Sequence, residues 1–126
     1  MAREGLTHWP GNVTLERLVG DCRLWRDDWA GAAVMYEKVV ATDPNIASVH
    51  ANLGTALGEM GRIDAAMTHL QRAAELQPER PQTFILMARL TWTHKRDAEQ
   101  ARKFLLLALQ RDPRNAAAME LMAQID

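Results

Sequence analysis

Four of the five prolines in this chain, Pro10, Pro44, Pro78 and Pro113, are separated by 34, 34 and 35 residues. A period this long restricts the fold to an array of helix pairs, because each unit is one supersecondary element that cannot bury its apolar face without a neighbour. The best-formed unit runs from Ala47 to Pro78. Within it Leu53, Ala56, Leu57 and Met60 have the spacing of one buried helical face, and Ile63, Ala66, Met67, Leu70, Ala73 and Ala74 have the spacing of another. Two amphipathic helices follow, with Gly61 between them, a residue free to take the left-handed backbone that reverses the chain. Gly54 falls inside the first helix, where glycine costs about 1 kcal/mol relative to alanine; a second helix crossing at close range offsets that, with Ala66 the small residue expected opposite. Pro78 cannot continue the second helix, so the unit ends there.

The other columns repeat in phase. Val19, Leu53 and Met87 share one place, Gly20, Gly54 and Ala88 the next, and Cys22, Ala56 and Leu90 a third. In the second helices Ala32, Ala66 and Ala101 align, as do Tyr36, Leu70 and Leu105, then Val39, Ala73 and Ala108, provided one residue is inserted between Thr93 and Arg96. The pattern predicts one domain over 1–126, with repeats at 13–46, 47–80 and 81–114 and a C-terminal capping helix at 115–125. Asn12 or Thr14 caps a helix from Val13 to about Arg26, Asp27 and Asp28 turn the chain, and Ala30 to Thr42 return it. Pro81 opens the next first helix, which runs to about His94, and Asp97 caps the helix through Arg111. Ala2 to Trp9 occupy the place of the end of an earlier second helix, a remnant that a piece cut from a longer array would show.

These residues resemble the tetratricopeptide repeat family, whose pattern of a Leu-Gly pair, an Ala, an aromatic or Leu, another Ala and a closing Pro is matched most fully by Leu53, Gly54, Ala66, Leu70, Ala73 and Pro78. The resemblance implies an all-α fold, an α-solenoid of three helix hairpins in a right-handed superhelix, with a partial N-terminal helix and the capping helix already noted. The chain departs from the pattern at Arg23, Val39 and Ala88, and at Lys95 and Arg96, which stand where a turn glycine is expected.

Composition narrows the function. Of 126 residues, 48% are hydrophobic and 25% charged, so an ordinary core forms without metals or cross-links. Fifteen basic against sixteen acidic residues give a formal charge of -1, and no overall field favours nucleic acid or an anionic membrane. No run reaches the roughly 20 apolar residues of a membrane span, and Met1 to Trp9 lack the apolar centre of a secretory signal, which places the chain in the cytoplasm by default. Cys22, the only cysteine, shares its column with Ala56 and Leu90 and is expected to be buried. Gly54, Gly58 and Gly61 lie in a helix and at its C-terminal end, where the dipole repels anions, so they form no phosphate loop. The histidines lack the helical spacing of metal ligands; His50 and His69 lie on the two helices of one hairpin, where they are able to approach, and each is expected at the boundary or surface. With no catalytic motif, no metal site and no cofactor indicated, the chain is not expected to be an enzyme.

The resemblance further implies that the first helices line a concave groove for an extended peptide or a partner helix. The matching columns place Arg17, Asp21, Leu24 and Trp25 there from the first unit, Ser48, Ala51, Asn52, Thr55 and Glu59 from the second, and Gln82, Ile85, Arg89, Trp92 and Thr93 from the third. Arg17 and Arg89 suit a carboxylate, Asn52 bonds a peptide backbone in both directions, and Trp25 and Trp92 offer apolar anchors. Family members that clamp the acidic tails of heat-shock chaperones use Lys and Asn in the first unit, Asn in the second, and Lys and Arg in the third. Here Arg17, Asp21, Asn52, Gln82 and Leu86 hold those places, and only Asn52 matches. The leading expectation is thus a protein-interaction module for an unidentified protein or peptide. Two alternatives stand beside it: an accessory repeat segment of a larger enzyme or assembly factor, and a self-associating scaffold, suggested by Leu106 and Leu107 in the run FLLLAL, apolar on every face, which the last helix or a second copy would have to cover.

Overall fold

The computed structural model describes residues 12–126, which form seven α-helices and one π-helical segment, with no strand among them. Helices α1 (Val13–Trp25) and α2 (Trp29–Thr42) make the first hairpin, and α3 (Ala47–Glu59) and α4 (Ile63–Leu76) the second. Helix α5 (Pro81–Leu90) runs on through the π segment Thr91–Lys95 and pairs with α6 (Ala98–Arg111); α7 (Ala116–Ile125) follows alone. Each second helix also packs on the first helix of the next unit, which makes the assembly an all-α solenoid. The expected helix over residues 2–9 lies outside the described residues.

Short polar side chains start four of these helices by satisfying an amide that has no partner within the helix. Asn12 Oδ1 accepts from Leu15 N at 3.1 Å, Asp28 Oδ1 from Gly31 N at 3.0 Å, Asp97 Oδ1 from Gln100 N at 3.1 Å and Asn115 Oδ1 from Ala118 N at 3.0 Å. Arg62 occupies the column of Asp28 and Asp97 yet makes no such bond, so α4 starts without a side-chain cap. Every hairpin turn passes through a left-handed residue: Asp27 at φ 60°, Gly61 at φ 81° and Arg96 at φ 52°. Only the central turn uses glycine.

The third hairpin differs from the expected one. Its first helix is α-helical only to Leu90, and Thr91–Lys95 widen into a π turn. The inserted residue that lengthens the repeat to 35 is therefore taken up inside the helix rather than in the connection.

The aligned second-helix columns form the core. Ala32, Ala66 and Ala101 are fully buried, as are Tyr36, Leu70 and Leu105, and Val39, Ala73 and Ala108 are 1% exposed or less. Opposite them the small first-helix column lets the helices close. A Cβ on Gly54 would stand 2.7 Å from Leu70 Cγ and 3.2 Å from the Ala66 carbonyl oxygen, so Leu70 fills the notch and Ala66 contributes its backbone.

Cys22 is exposed, against expectation. Ala56 in the same column is buried in one cluster with Ala32, Tyr36 and Val39 of the preceding hairpin, whereas among the described residues no earlier hairpin covers Cys22. His50 also departs from expectation and is buried at 4% exposure. In FLLLAL, Leu105 and Ala108 are fully buried, and Phe104, Leu107 and Leu109 pack against the core formed with α5 and α7; Leu106 alone projects, at 55% exposure. The apolar patch is thus reduced to one leucine.

Candidate functional site: the face of the first helices

Helix α1 touches α3, α3 touches α5, and α5 touches α7, so the first helices and the final helix run side by side along one face. Columns on successive first helices consequently become neighbours in space, though they are more than thirty residues apart in sequence. Arg17 is exposed on α1, and its Nη2 donates to Ser48 Oγ of α3 at 3.3 Å.

Behind this pair lies a polar cluster. The Tyr36 ring comes from α2 and passes over Gly20, where a Cβ would meet Tyr36 Cε1 at 2.7 Å. That notch carries the hydroxyl through to the first-helix face, where it donates to Asp21 Oδ1 at 2.5 Å. Burial raises the Tyr36 pKa well above its ordinary 10.0, and the hydrogen bond to Asp21 and the charge of that carboxylate raise it further; Asn52 and the Arg17 charge act in the opposite direction. The hydroxyl therefore stays protonated and holds Asp21 in place, half-buried between α1 and α3.

Trp25 ends α1 with 80% of its surface exposed. Thr55 is half-buried, and its hydroxyl donates to Ala51 O in its own helix at 3.0 Å. On α5, Gln82 and Arg89 are exposed. Ile85, expected in the groove, is 5% exposed and belongs to the core cluster that contains Ala118, Leu121 and Ile125, so it is removed from the set. The physical reason is α7, whose Ala118, Leu121 and Ile125 share a cluster with Ile85, whereas Arg17 and Ala51 of the same column lie outside the core clusters.

Trp92 is half-buried in the π segment, and the Arg96 guanidinium stands 4.8 Å from its ring centroid. With Arg89 and Thr93 it lines a pocket of about 220 Å³ whose other wall is Ala117, Glu120, Leu121 and Gln124 of α7. Chemically, the face has hydrogen-bonding groups of both signs at the α1–α3 end and an aromatic pocket flanked by arginine and glutamate at the α5–α7 end.

Two contributions escape sequence reasoning. Tyr36 lies in a column whose other members are Leu70 and Leu105, and its lone hydroxyl is the signal that one second helix reaches the first-helix face. Glu120 and Gln124 have the spacing of a solvated face, and only the packing of α7 on α5 brings them to Trp92. Among the described residues no group of three or more His, Cys, Asp or Glu is placed to hold a metal ion, and no helix is long and apolar enough to cross a membrane.

Comparison with known proteins agrees with this architecture. The model of the tetratricopeptide repeat family matches residues 24–90, and the chain belongs to that family. Among solved structures, MamA is 19% identical with a TM-score of 0.91, over 98% of this chain and 71% of that one. The tetratricopeptide domain of OM64 from Arabidopsis is 15% identical with a TM-score of 0.83, over 90% of this chain and 93% of that one. The first such domain of Spaghetti (RPAP3), bound to the HSP90 peptide SRMEEVD, is 16% identical with a TM-score of 0.84, over 93% of this chain and 92% of that one. At these identities the likeness is one of fold. No curated protein matches the chain.

Proposed function

We propose that this chain is a non-catalytic protein-interaction module that holds a peptide or helix of a partner protein along the face of its first helices. Support comes above all from the continuity of that face, from Arg17 and Asn52 through Gln82 and Arg89 to the Trp92 pocket, formed by helices that touch in succession. Asn52 bonds the ligand backbone, Arg17 and Arg89 meet its acidic or carbonyl groups, and Trp25 and Trp92 take its apolar side chains. Thr55 has its hydroxyl engaged within α3 and supplies a methyl group.

Asp21 narrows the choice of ligand. The RPAP3 domain is bound to a peptide ending in EEVD. Here a carboxylate pinned by Tyr36 stands where tail-clamping relatives have Asn, and Gln82 and Leu86 stand where they have Lys and Arg. An acidic tail would meet repulsion at Asp21 and would lack the two cations that Gln82 and Leu86 replace. The preferred ligand is neutral or carries a cation opposite Asp21.

The test is selection of ligands from a peptide library, followed by calorimetry with wild type and with the combined variant Arg17→Ala, Arg89→Ala, Trp92→Ala. Loss of two or three such anchors weakens binding by about a hundredfold or more. Unchanged affinity for the selected ligand would remove the groove assignment, and tight binding of SRMEEVD would remove the part played by Asp21.

A further inference from the structure

His50 and His69 take no part in the groove, yet they are joined. His50 lies in the first turn of α3 at 4% exposure, and His69 is half-buried on α4. Their Nδ1 atoms are 3.1 Å apart, and Nε2 of His50 lies 2.7 Å from the carbonyl oxygen of Pro44, in the connection between α2 and α3. The ring centroids are 5.3 Å apart and the ring planes 25° from parallel. Because the centroid separation exceeds the nitrogen separation by nearly two ring radii, the rings meet nitrogen to nitrogen, close to one plane, rather than face on face. That opposition leaves too little room for a metal ion between them, since each zinc-to-nitrogen bond needs about 2.0–2.1 Å.

The positions of the protons follow from the acceptors. A carbonyl oxygen only accepts, so Nε2 of His50 carries a hydrogen. Neutral His50 then has a bare Nδ1, and the hydrogen between the rings belongs to Nδ1 of His69. One added proton is tolerated: it enters at Nε2 of His69, which goes on donating through Nδ1. A second has only Nδ1 of His50 to occupy, and there it would set N–H against N–H at 3.1 Å.

We propose that the pair is a proton-operated latch, which ties the α2–α3 connection, α3 and α4 together while the two imidazoles share at most one added proton, and releases them when both are charged. Glu37 faces the pair from α2 and favours a charged His69. From α4, Arg72 is engaged by Asn45 Oδ1 at 2.8 Å and Glu75 at 3.6 Å, and in the connection Asp43 accepts from Asn45 N at 3.3 Å. Burial holds the pKa of His69 below its ordinary 6.5, the charge of His50 lowers it further, and Glu37 opposes both. A lowered folded-state pKa means that the stability this group contributes is complete above pH 6.5 and is lost as the pH falls through the folded value. Ser48 and Asn52 flank His50 on α3, so release of the latch loosens the groove wall that Arg17 and Tyr36 touch.

Imidazole nitrogen NMR of the full chain, from about pH 8 to about pH 4, tests the latch, with exposed His94 as internal comparison. The expected result is an Nε2–H tautomer for His50 and an Nδ1–H tautomer for His69 at the alkaline end, then two separate titrations, the second below that of an ordinary histidine. Urea unfolding supplies a second readout: as the pH falls below the ordinary histidine value, the folded-to-unfolded ratio of wild type falls by up to about tenfold per pH unit for the proton taken up, and His69→Gln removes the part due to this pair. The opposite tautomers, or two independent titrations, would overturn the latch, as would an acid dependence that is unchanged in His69→Gln. The NMR experiment needs only wild type, so it decides the matter even where the variant does not fold.

Discussion

Tyr36 does two things that its column mates cannot. Its ring fills the place that Leu70 and Leu105 fill in their hairpins, and its hydroxyl orders the carboxylate on the first-helix face. Removing the hydroxyl while keeping the ring separates the two roles. Tyr36→Phe is expected to cost about 1–2 kcal/mol in urea unfolding, since it deletes a hydrogen bond to a charged acceptor in a half-buried place. It also has a pH signature. With its folded-state pKa raised above 10.0, the tyrosine contributes stability that is fully present below pH 10.0 and is lost as pH rises through the folded value. The chain has a single tyrosine, so tyrosinate absorbance reports this group alone. Wild type should show ionisation only together with alkaline unfolding; absorbance rising near pH 10.0 in the folded chain would contradict the buried hydrogen bond.

At the scale of the helix, the clearest contrast lies in the column Asp28, Arg62 and Asp97. The two aspartates cap α2 and α6, and Arg62 leaves the first amides of α4 without a side-chain acceptor. Arg62→Asp is therefore expected to stabilise the fold by about 0.5–1 kcal/mol, and Asp97→Ala to destabilise it by about 1 kcal/mol, both read from denaturant midpoints at constant slope. No gain from Arg62→Asp would mean that water satisfies those amides equally well. Part of this level was legible in advance, because a cap is a local rule: Asn12 and Asp97 bond to the amide three residues on whatever the rest of the chain does, whereas Asp28, read as a turn residue, proves to be a cap as well. The π turn was not legible. One extra residue in the 35-residue unit can be absorbed in a loop or in a helix, and the choice depends on how Thr91, buried with its hydroxyl on Met87 O at 2.8 Å, and Trp92, under Arg96, settle against their surroundings.

Across the whole molecule, what matters is which surfaces the stack leaves open. Leu106 stands on the outer side of α6 beside Glu99, Lys103 and Gln110, all exposed, whereas Leu107 is packed into the core with α5 and α7. Leu106→Lys is expected to change stability by no more than about 0.5 kcal/mol and to leave the sedimentation behaviour unchanged, while Leu107→Lys costs about 1–3 kcal/mol. A change in oligomeric state with Leu106→Lys alone would revive self-association through this helix. Sequence could not separate these two leucines, because both belong to a run that is apolar all round, and only the position of α7 decides which side is covered.

The same division holds for the chain as a whole. Residues by themselves determined the helix pairs of the described residues and most of their buried columns, because a repeat of 34 or 35 residues leaves one way to bury an apolar stripe, against the next unit. Cys22 and Ile85 mark where that logic ends: columns assume that every unit has the same neighbours, and the first and last units do not. Tertiary structure alone decided that Tyr36 reaches the first-helix face over Gly20, that α7 closes the Trp92 pocket, and that His50 and His69 meet nitrogen to nitrogen. Those outcomes depend on distances between side chains on different helices, and a periodic pattern records only which face of a helix each side chain leaves from.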